Sequence, residues 1–587
     1  MTLIRKIFGL IKKHSEIAFL FILLLTSLSA RVILLDKIPI GIGNDELEYI
    51  LNAKSLAISG TDLTGTWRPW TLTTPPGVNA RGVIPYFLLA PIIGIFPLNL
   101  FDARVLYAII GSLTVLVVYY LAKALFDRKI AFWAGVAICF SPWSIFMSRT
   151  AFEAPIALFF YLLGFLGILK LKSWKILLSI IPLFLGFYSY VGMNLAFLPI
   201  LLVFLVYSGV FIHRREDKKY LFLLAMMGAV ILVVYTFIAQ QTEVSKRFSE
   251  LATPQNYTFS EEVNLIRRQS IDSLWNGVFT NKITVYLNFI IGRFANLYSS
   301  DLLFVSGDPN GLYGFFRHGL FYFTDVLFLF AGGYFLIKKY KKQAFLIAPL
   351  LILAPLPSVI STLDKQYVFR SLFFLPVAIL IVGLGAREVW QITGKRKYLQ
   401  VGLLATLLLE VVFFTHLYFF DMPVAYQSQT AFSSRILANY IYRESKYFSK
   451  ILVISKEPKA HFKQYLFYND LINSNSIFEI QKSYDKSEII FKNVTFATCK
   501  EAPHLIQGSE IVAHYLTLCP EIEPNQHNVV IPRIGENGAE FFVYNSQLCA
   551  GVEMSPYTHP FIFDDFNVEK MSDKTFCQKF LLKPFKP

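Results

Sequence analysis

Apolar runs of about twenty residues recur along most of this chain, and clusters of Lys and Arg separate them. That alternation limits the fold more than any motif does, because a run of about that length matches the hydrocarbon thickness of a bilayer. It also carries a direction, since cytoplasmic loops collect Lys and Arg. Arg5, Lys6, Lys12 and Lys13 precede the first run, which continues past Ser27 to Ala30 and Arg31 as far as Leu35. It reads as a retained helix rather than a cleaved signal, with the amino terminus in the cytoplasm. The first span then ends outside, and the stretch Asn44-Asp45-Glu46-Leu47-Glu48 follows it there.

Further spans are expected at about 104 to 125, ending on the inner cluster Lys123, Arg128 and Lys129, and at about 130 to 148, ending in an outer turn with Arg149 and Glu153. A fourth descends to Lys170, Lys172 and Lys175, and a fifth and sixth form a hairpin returning to His213-Arg214-Arg215. The seventh (about 220 to 239) emerges, the eighth descends to Lys338 and Lys339, and the ninth and tenth enclose the outer loop Asp364 to Arg370. An eleventh, at about 399 to 419, exits after Lys395-Arg396-Lys397. Val83 to Leu98 is short and broken by Pro85, Pro91 and Pro97, so it reads as interfacial or re-entrant. Asp45 to Ser59 has the spacing of an amphipathic interfacial helix, and Tyr286 to Ile291 suggests another.

The expected fold is an all-α polytopic membrane domain over 1–420, with about eleven transmembrane helices, interfacial helices, and outer loops at 36–103 and 240–319. A soluble α/β domain outside the membrane is expected over 421–587, with strands near Ile451 to Ser455, Glu488 to Phe491, Asn528 to Ile531 and Glu540 to Tyr544, and a helix at about 458 to 467. The net charge of +15 does not point to nucleic acid, because the basic residues lie in topology clusters and only 16% of residues are charged. Four of the five cysteines, Cys499, Cys519, Cys549 and Cys577, fall in the hydrophilic part. They suit two disulfides in an oxidising compartment, or else buried thiols, and their spacing lacks the CxxC pairs of a zinc site.

Asp45 and Glu46 adjoin at the mouth of a membrane protein poor in acid. Two carboxylates sharing one site raise the proton affinity of one of them, which suits a general base. The competing explanation is a capping box, since Asp45 and Glu48 have its spacing. Arg104, Arg149 and Arg370 fall at the outer ends of spans, where anionic partners are needed. These are either the local acids Glu153 and Asp364 or a substrate phosphate. His416 and Glu410 read as packed or lipid-interface residues, and neither a Walker loop nor a dinucleotide fingerprint is present.

Four features, Asn44-Asp45-Glu46, Pro75-Pro76, Ala103-Arg104-Val105 and Ser148-Arg149-Thr150-Ala151-Phe152-Glu153, together resemble the protein O-mannosyltransferases and the lipid A aminoarabinose transferase, glycosyltransferase family 39-like enzymes with the integral-membrane GT-C fold. Further on, Leu303-Phe304-Val305-Ser306-Gly307-Asp308 and Phe369-Arg370-Ser371 look like patterns common in bacterial and archaeal members. The resemblance covers about 15 to 420, with Glu153 where many relatives have Asp, and does not extend to the carboxy-terminal domain. It implies transfer of a sugar from a polyprenyl-phosphate donor to an acceptor glycan, lipid or protein at the outer face of the plasma membrane, with inversion. It further implies Asp45 as base, Glu46 and Glu153 shaping the site or holding a divalent cation (Mg or Mn), and Arg104, Arg149 and Arg370 on the donor phosphate. A transporter or flippase of a lipid-linked saccharide would share the spans and arginines, but would place its charges near the midplane and often show paired repeats. A glycan ligase or polymerase is the other alternative.

Overall fold

The structure is a computed structural model of the chain. It describes all residues except 1–14, 69–71, 73–80, 241–255, 309–313, 315–316, 362–366, 426–430, 502–504, 507–508, 510, 516–526, 534–537, 555–560 and 584–587. Arg5, Lys6, Lys12, Lys13, Pro75, Pro76, Asp364 and Cys519 therefore lie outside the described residues. The chain divides into two compact units.

The first unit comprises 1–33, 72–84 and 107–415 and is helical in its described residues. Across the chain, seven described helical stretches are long and apolar enough to cross a membrane: Ser15–Val32, Leu100–Leu125, Val191–Phe211, Arg215–Ile238, Lys341–Ile360, Phe374–Lys395 and Lys397–Ala425. The other four expected spans are helical but shorter: Arg128–Phe140, Ala154–Lys170, Ser173–Phe187 and Asp325–Lys338. The expected span at about 130 to 148 ends early because Pro142 cannot continue a helix from Phe140. Ser141 instead caps a separate Pro142–Met147 helix through the Ser144 N–H.

The Phe374–Ile392 helix is the hub of this unit, with every residue from Phe374 to Ala386 buried. Lipid gives no hydrophobic drive between helices, so close backbone approach must supply the contact. At its crossing with Asp325–Lys338, a Cβ on Gly385 would stand 1.8 Å from the Phe328 carbonyl oxygen, and one on Gly332 would stand 2.1 Å from that of Ile381. Peripheral helices behave oppositely: Phe222, Val233 and Phe237 on Lys218–Gln240 and Leu408, Leu409 and Val412 on Lys397–His416 are exposed, as lipid-facing residues should be. The Lys282–Leu297 helix, longer than the sequence suggests, exposes Ile283, Leu287 and Ile291 along one face.

The second unit comprises 34–71, 85–106 and 416–587. It contains a mixed six-stranded sheet, β1 (Ile451–Ile454), β2 (Ile489–Phe491), β3 (Val494–Ala497), β4 (Ile511–Tyr515), β5 (His527–Arg533) and β6 (Gly538–Tyr544), in the order β2-β3-β1-β4-β6-β5. β1 is wholly buried and pairs in parallel with β3 and β4, as an unbroken apolar run predicts. The remaining pairings are antiparallel. The Pro458–Tyr468 helix covers the sheet, with the Phe462 ring 5.3 Å from Phe496 and Tyr465 5.6 Å from it. Cys549 and Cys577 form a disulfide, and Cys499 is also disulfide-bonded.

The Ile84–Ile95 helix has 12 residues, giving about 18 Å of length, short of the roughly 30 Å of a bilayer core. The Asn44–Ser59 helix departs from its amphipathic, interfacial expectation, because every residue from Glu46 to Ser55 is buried. Its polar side is enclosed by protein: Lys54 donates to the Phe96 carbonyl (2.8 Å), and Asn52 accepts from the Leu63 N–H (2.9 Å).

Candidate active site

The six sequence-derived site residues fall three to each unit. In the second unit the Asn44–Ser59 helix begins after Gly43, whose backbone is extended (φ −75°, ψ 160°). The Glu46 Oε2 accepts the Gly43 N–H at 3.0 Å, closing the first turn. The spacing of a capping box is therefore met two residues earlier than Asp45 and Glu48 suggest. Asp45 occupies the second helical position and is half-buried, where a carboxylate is favoured by the helix dipole.

Glu46 is buried, with its Oε1 3.5 Å from the Arg104 Nε. Arg104 is fully buried and donates to the carbonyls of Pro39 (2.7 Å) and Gly41 (2.5 Å). It thus joins the opening of Leu100–Leu125 to the segment just before the helix. Glu48 pairs with Lys463 and accepts from Asn52 at 2.7 Å. Glu46 thus faces the buried Arg104, and Glu48 the partly buried Lys463.

In the first unit Arg149 donates to the carbonyls of Ala30 (3.3 Å) and Arg31 (2.9 Å), so its charge sits at the carboxy-terminal end of Ser15–Val32. Arg31, which its sequence position gave no reason to single out, is fully buried and donates to Ser27, the Cys139 carbonyl and Ser144. Glu153 immediately precedes the Ala154–Lys170 helix and is buried. Its turn meets that of Arg370 through Phe152 against Phe369, with ring centroids 5.3 Å apart. Arg370 closes the short Tyr367–Arg370 helix, bonds Ser361, and lines a narrow cleft with Ala154, Ala157, Tyr190 and Phe369. Two of the sequence motifs join here. The buried Asp308 accepts the Val368 N–H at 3.2 Å, while Trp143 donates to the Val368 carbonyl at 2.9 Å.

No protein-family model matches the chain, and no curated protein does. Among solved structures it aligns with ArnT from Cupriavidus metallidurans bound to undecaprenyl phosphate, at a TM-score of 0.51 and 11% identity, over 92% of this chain and 99% of that one. The same enzyme in the apo state gives 0.51 and 12%, over 92% and 100%. The Archaeoglobus fulgidus oligosaccharyltransferase tethered to an acceptor peptide gives 0.46 and 13%, over 92% and 75%. The chain has the GT-C fold.

Within each unit, the carboxylates implied as cation ligands have other partners. Among the described residues no three of His, Cys, Asp or Glu gather as a metal site, and Glu46 is engaged by Gly43 and Arg104. The sequence reading also missed Arg435, Lys463 and Gln464. A signal for the first was present: Arg435, Asn439 and Arg443 recur every fourth residue on the Phe432–Glu444 helix, and all are buried.

Proposed function

We propose that this chain is a polyprenyl-phosphate-sugar-dependent glycosyltransferase of the plasma membrane, working at the outer face with its amino terminus in the cytoplasm. The observation that carries the reading is the fold likeness to ArnT bound to undecaprenyl phosphate, which extends over 99% of that chain. The eleven-span topology, with the domain over 421–587 outside, belongs to the same proposal.

In this reading the Asp45 carboxylate takes the proton of an acceptor hydroxyl. The hydroxyl oxygen bonds the anomeric carbon as the bond from that carbon to the phosphate oxygen breaks, with inversion. The electron pair leaves on the polyprenyl phosphate. Asp45 suits the role because Glu46, its neighbour, already closes the helix and faces Arg104. Arg370 and Arg149 would steady the leaving phosphate and Glu153 would shape the site. Arg104, with both terminal nitrogens on backbone carbonyls, takes a positioning role.

The test is transfer of radiolabel from a panel of synthetic polyprenyl-phosphate sugars by the purified full chain. Label passing to an acceptor or to water is the expected result. Vectorial movement of intact lipid-linked sugar across proteoliposomes, without bond cleavage, would overturn it in favour of a transporter.

A further inference from the structure

The four carbonyls leading into the Asp45 helix are each held by a side chain from elsewhere in the second unit. Pro39 and Gly41 are held by Arg104 at 2.7 and 2.5 Å. Ile40 is held by Arg435 at 2.5 Å and Ile42 by Gln464 at 2.9 Å. The next backbone group, the Gly43 N–H, is closed by Glu46. Two of the three clamping side chains thus come from the carboxy-terminal domain, 395 and 422 residues further on.

Arg435 is rigidly mounted for this task. It grips Glu569 with two nitrogens (2.8 and 2.6 Å), donates to the Phe566 carbonyl (2.8 Å), and lies over the Tyr468 ring at 5.0 Å. Gln464 neighbours Lys463, which pairs with Glu48 one turn into the same helix. The far end is held as well: Gln481 donates to Thr61 (3.0 Å) and to the Asp62 carbonyl (2.9 Å). A buried guanidinium is expensive to desolvate, and a buried ion pair is weak evidence of added stability. Its use on a loop carbonyl is better explained by geometry, where an error of about 1 Å at a reacting group costs about 100-fold in rate.

We propose that Arg435 and Gln464 are positioning residues that let the carboxy-terminal domain set the backbone carrying Asp45. The proposal rests on the glycosyltransferase reading for its catalytic consequence but not for the clamp itself. Arg435→Lys keeps the charge beside Glu569 but lacks the fork that also reaches Ile40, and Gln464→Met keeps volume while removing one donor.

The experiment uses the purified full chain as wild type, as each variant, and as Lys459→Ala, whose pair with Asp485 is solvent-exposed and bonds no carbonyl of 39–42. Amide hydrogen exchange across 38–50, melting temperature, kcat and donor KM are measured on the same samples. Faster exchange confined to 38–50, with kcat down about 10- to 100-fold, KM within about threefold and melting temperature nearly unchanged, is expected for both variants but not for Lys459→Ala. Wild-type exchange and kcat in both variants would overturn the proposal. If Arg435→Lys loses protection throughout, Gln464→Met decides. If the wild type transfers no sugar, the enzymatic reading fails, and exchange alone supports or overturns the clamp.

Discussion

Asp45, Glu46 and Glu48 sit within four positions and are handled differently by their surroundings. Glu46 is a structural acid: it closes the Gly43 N–H and balances the buried Arg104. Removing one partner of a buried pair leaves an uncompensated charge, a loss of about 3–5 kcal/mol. Glu46→Gln is therefore expected to lower the denaturation midpoint sharply, and Arg104→Met, which removes the guanidinium, to unfasten residues 39–41 as well. Chemical denaturation in detergent checks both, and a midpoint unchanged in Glu46→Gln would refute the structural role. The acidic cluster was legible in the sequence, but the division of labour was not. It depends on the helix being capped at Gly43, two residues earlier than a cap at Asp45, and no periodicity fixes a boundary that finely.

Among the elements, the crossing of Asp325–Lys338 with Phe374–Ile392 depends on backbone contact at Gly332 and Gly385. Gly385→Leu has no room beside the Phe328 carbonyl oxygen, so it should abolish the monodisperse peak in gel filtration, whereas substitution at the exposed Leu408 should not. The Pro458–Tyr468 helix adds a pH response. Burial pushes the His461 imidazole down to about 4. Its Nδ1 has no hydrogen-bond partner among the described residues, and its ring stands edge-on to Phe541 at 5.3 Å. The folded state thus favours the neutral ring, while the unfolded chain protonates near 6.5. Stability is full above about pH 6.5 and falls as pH drops from there to about 4, by roughly 2–3 kcal/mol. Melting curves across that window should show the loss in wild type and a shallower one in His461→Phe, and equal slopes would contradict the assignment.

Over the whole molecule, the helical segments were readable because apolar length and basic punctuation are one-dimensional signals. The strands near 451, 489, 528 and 540 were readable for the same reason, whereas β3 and β4 escaped. β4 pairs in parallel with β1 on one side and antiparallel with β6 on the other, and such partners are set by tertiary contact rather than local pattern. The joining of 39–42 to Arg435 and Gln464 was illegible because it links segments about 400 residues apart. Among the cysteines, Cys549 and Cys577 close a loop with a sequence separation of 28, worth about 3–4 kcal/mol by chain entropy. Cys577→Ala should accordingly make the second unit sensitive to protease at temperatures the wild type resists. Equal resistance would show that the sheet holds without the bridge.

The most direct test of the account is kcat for sugar release from a polyprenyl-phosphate donor by purified Asp45→Asn, measured beside wild type with donor affinity and melting temperature on the same samples. The account predicts a fall of about 100- to 10,000-fold in kcat, with affinity and melting temperature nearly unchanged. Full activity in the variant would contradict it and move the search for a base to Glu153.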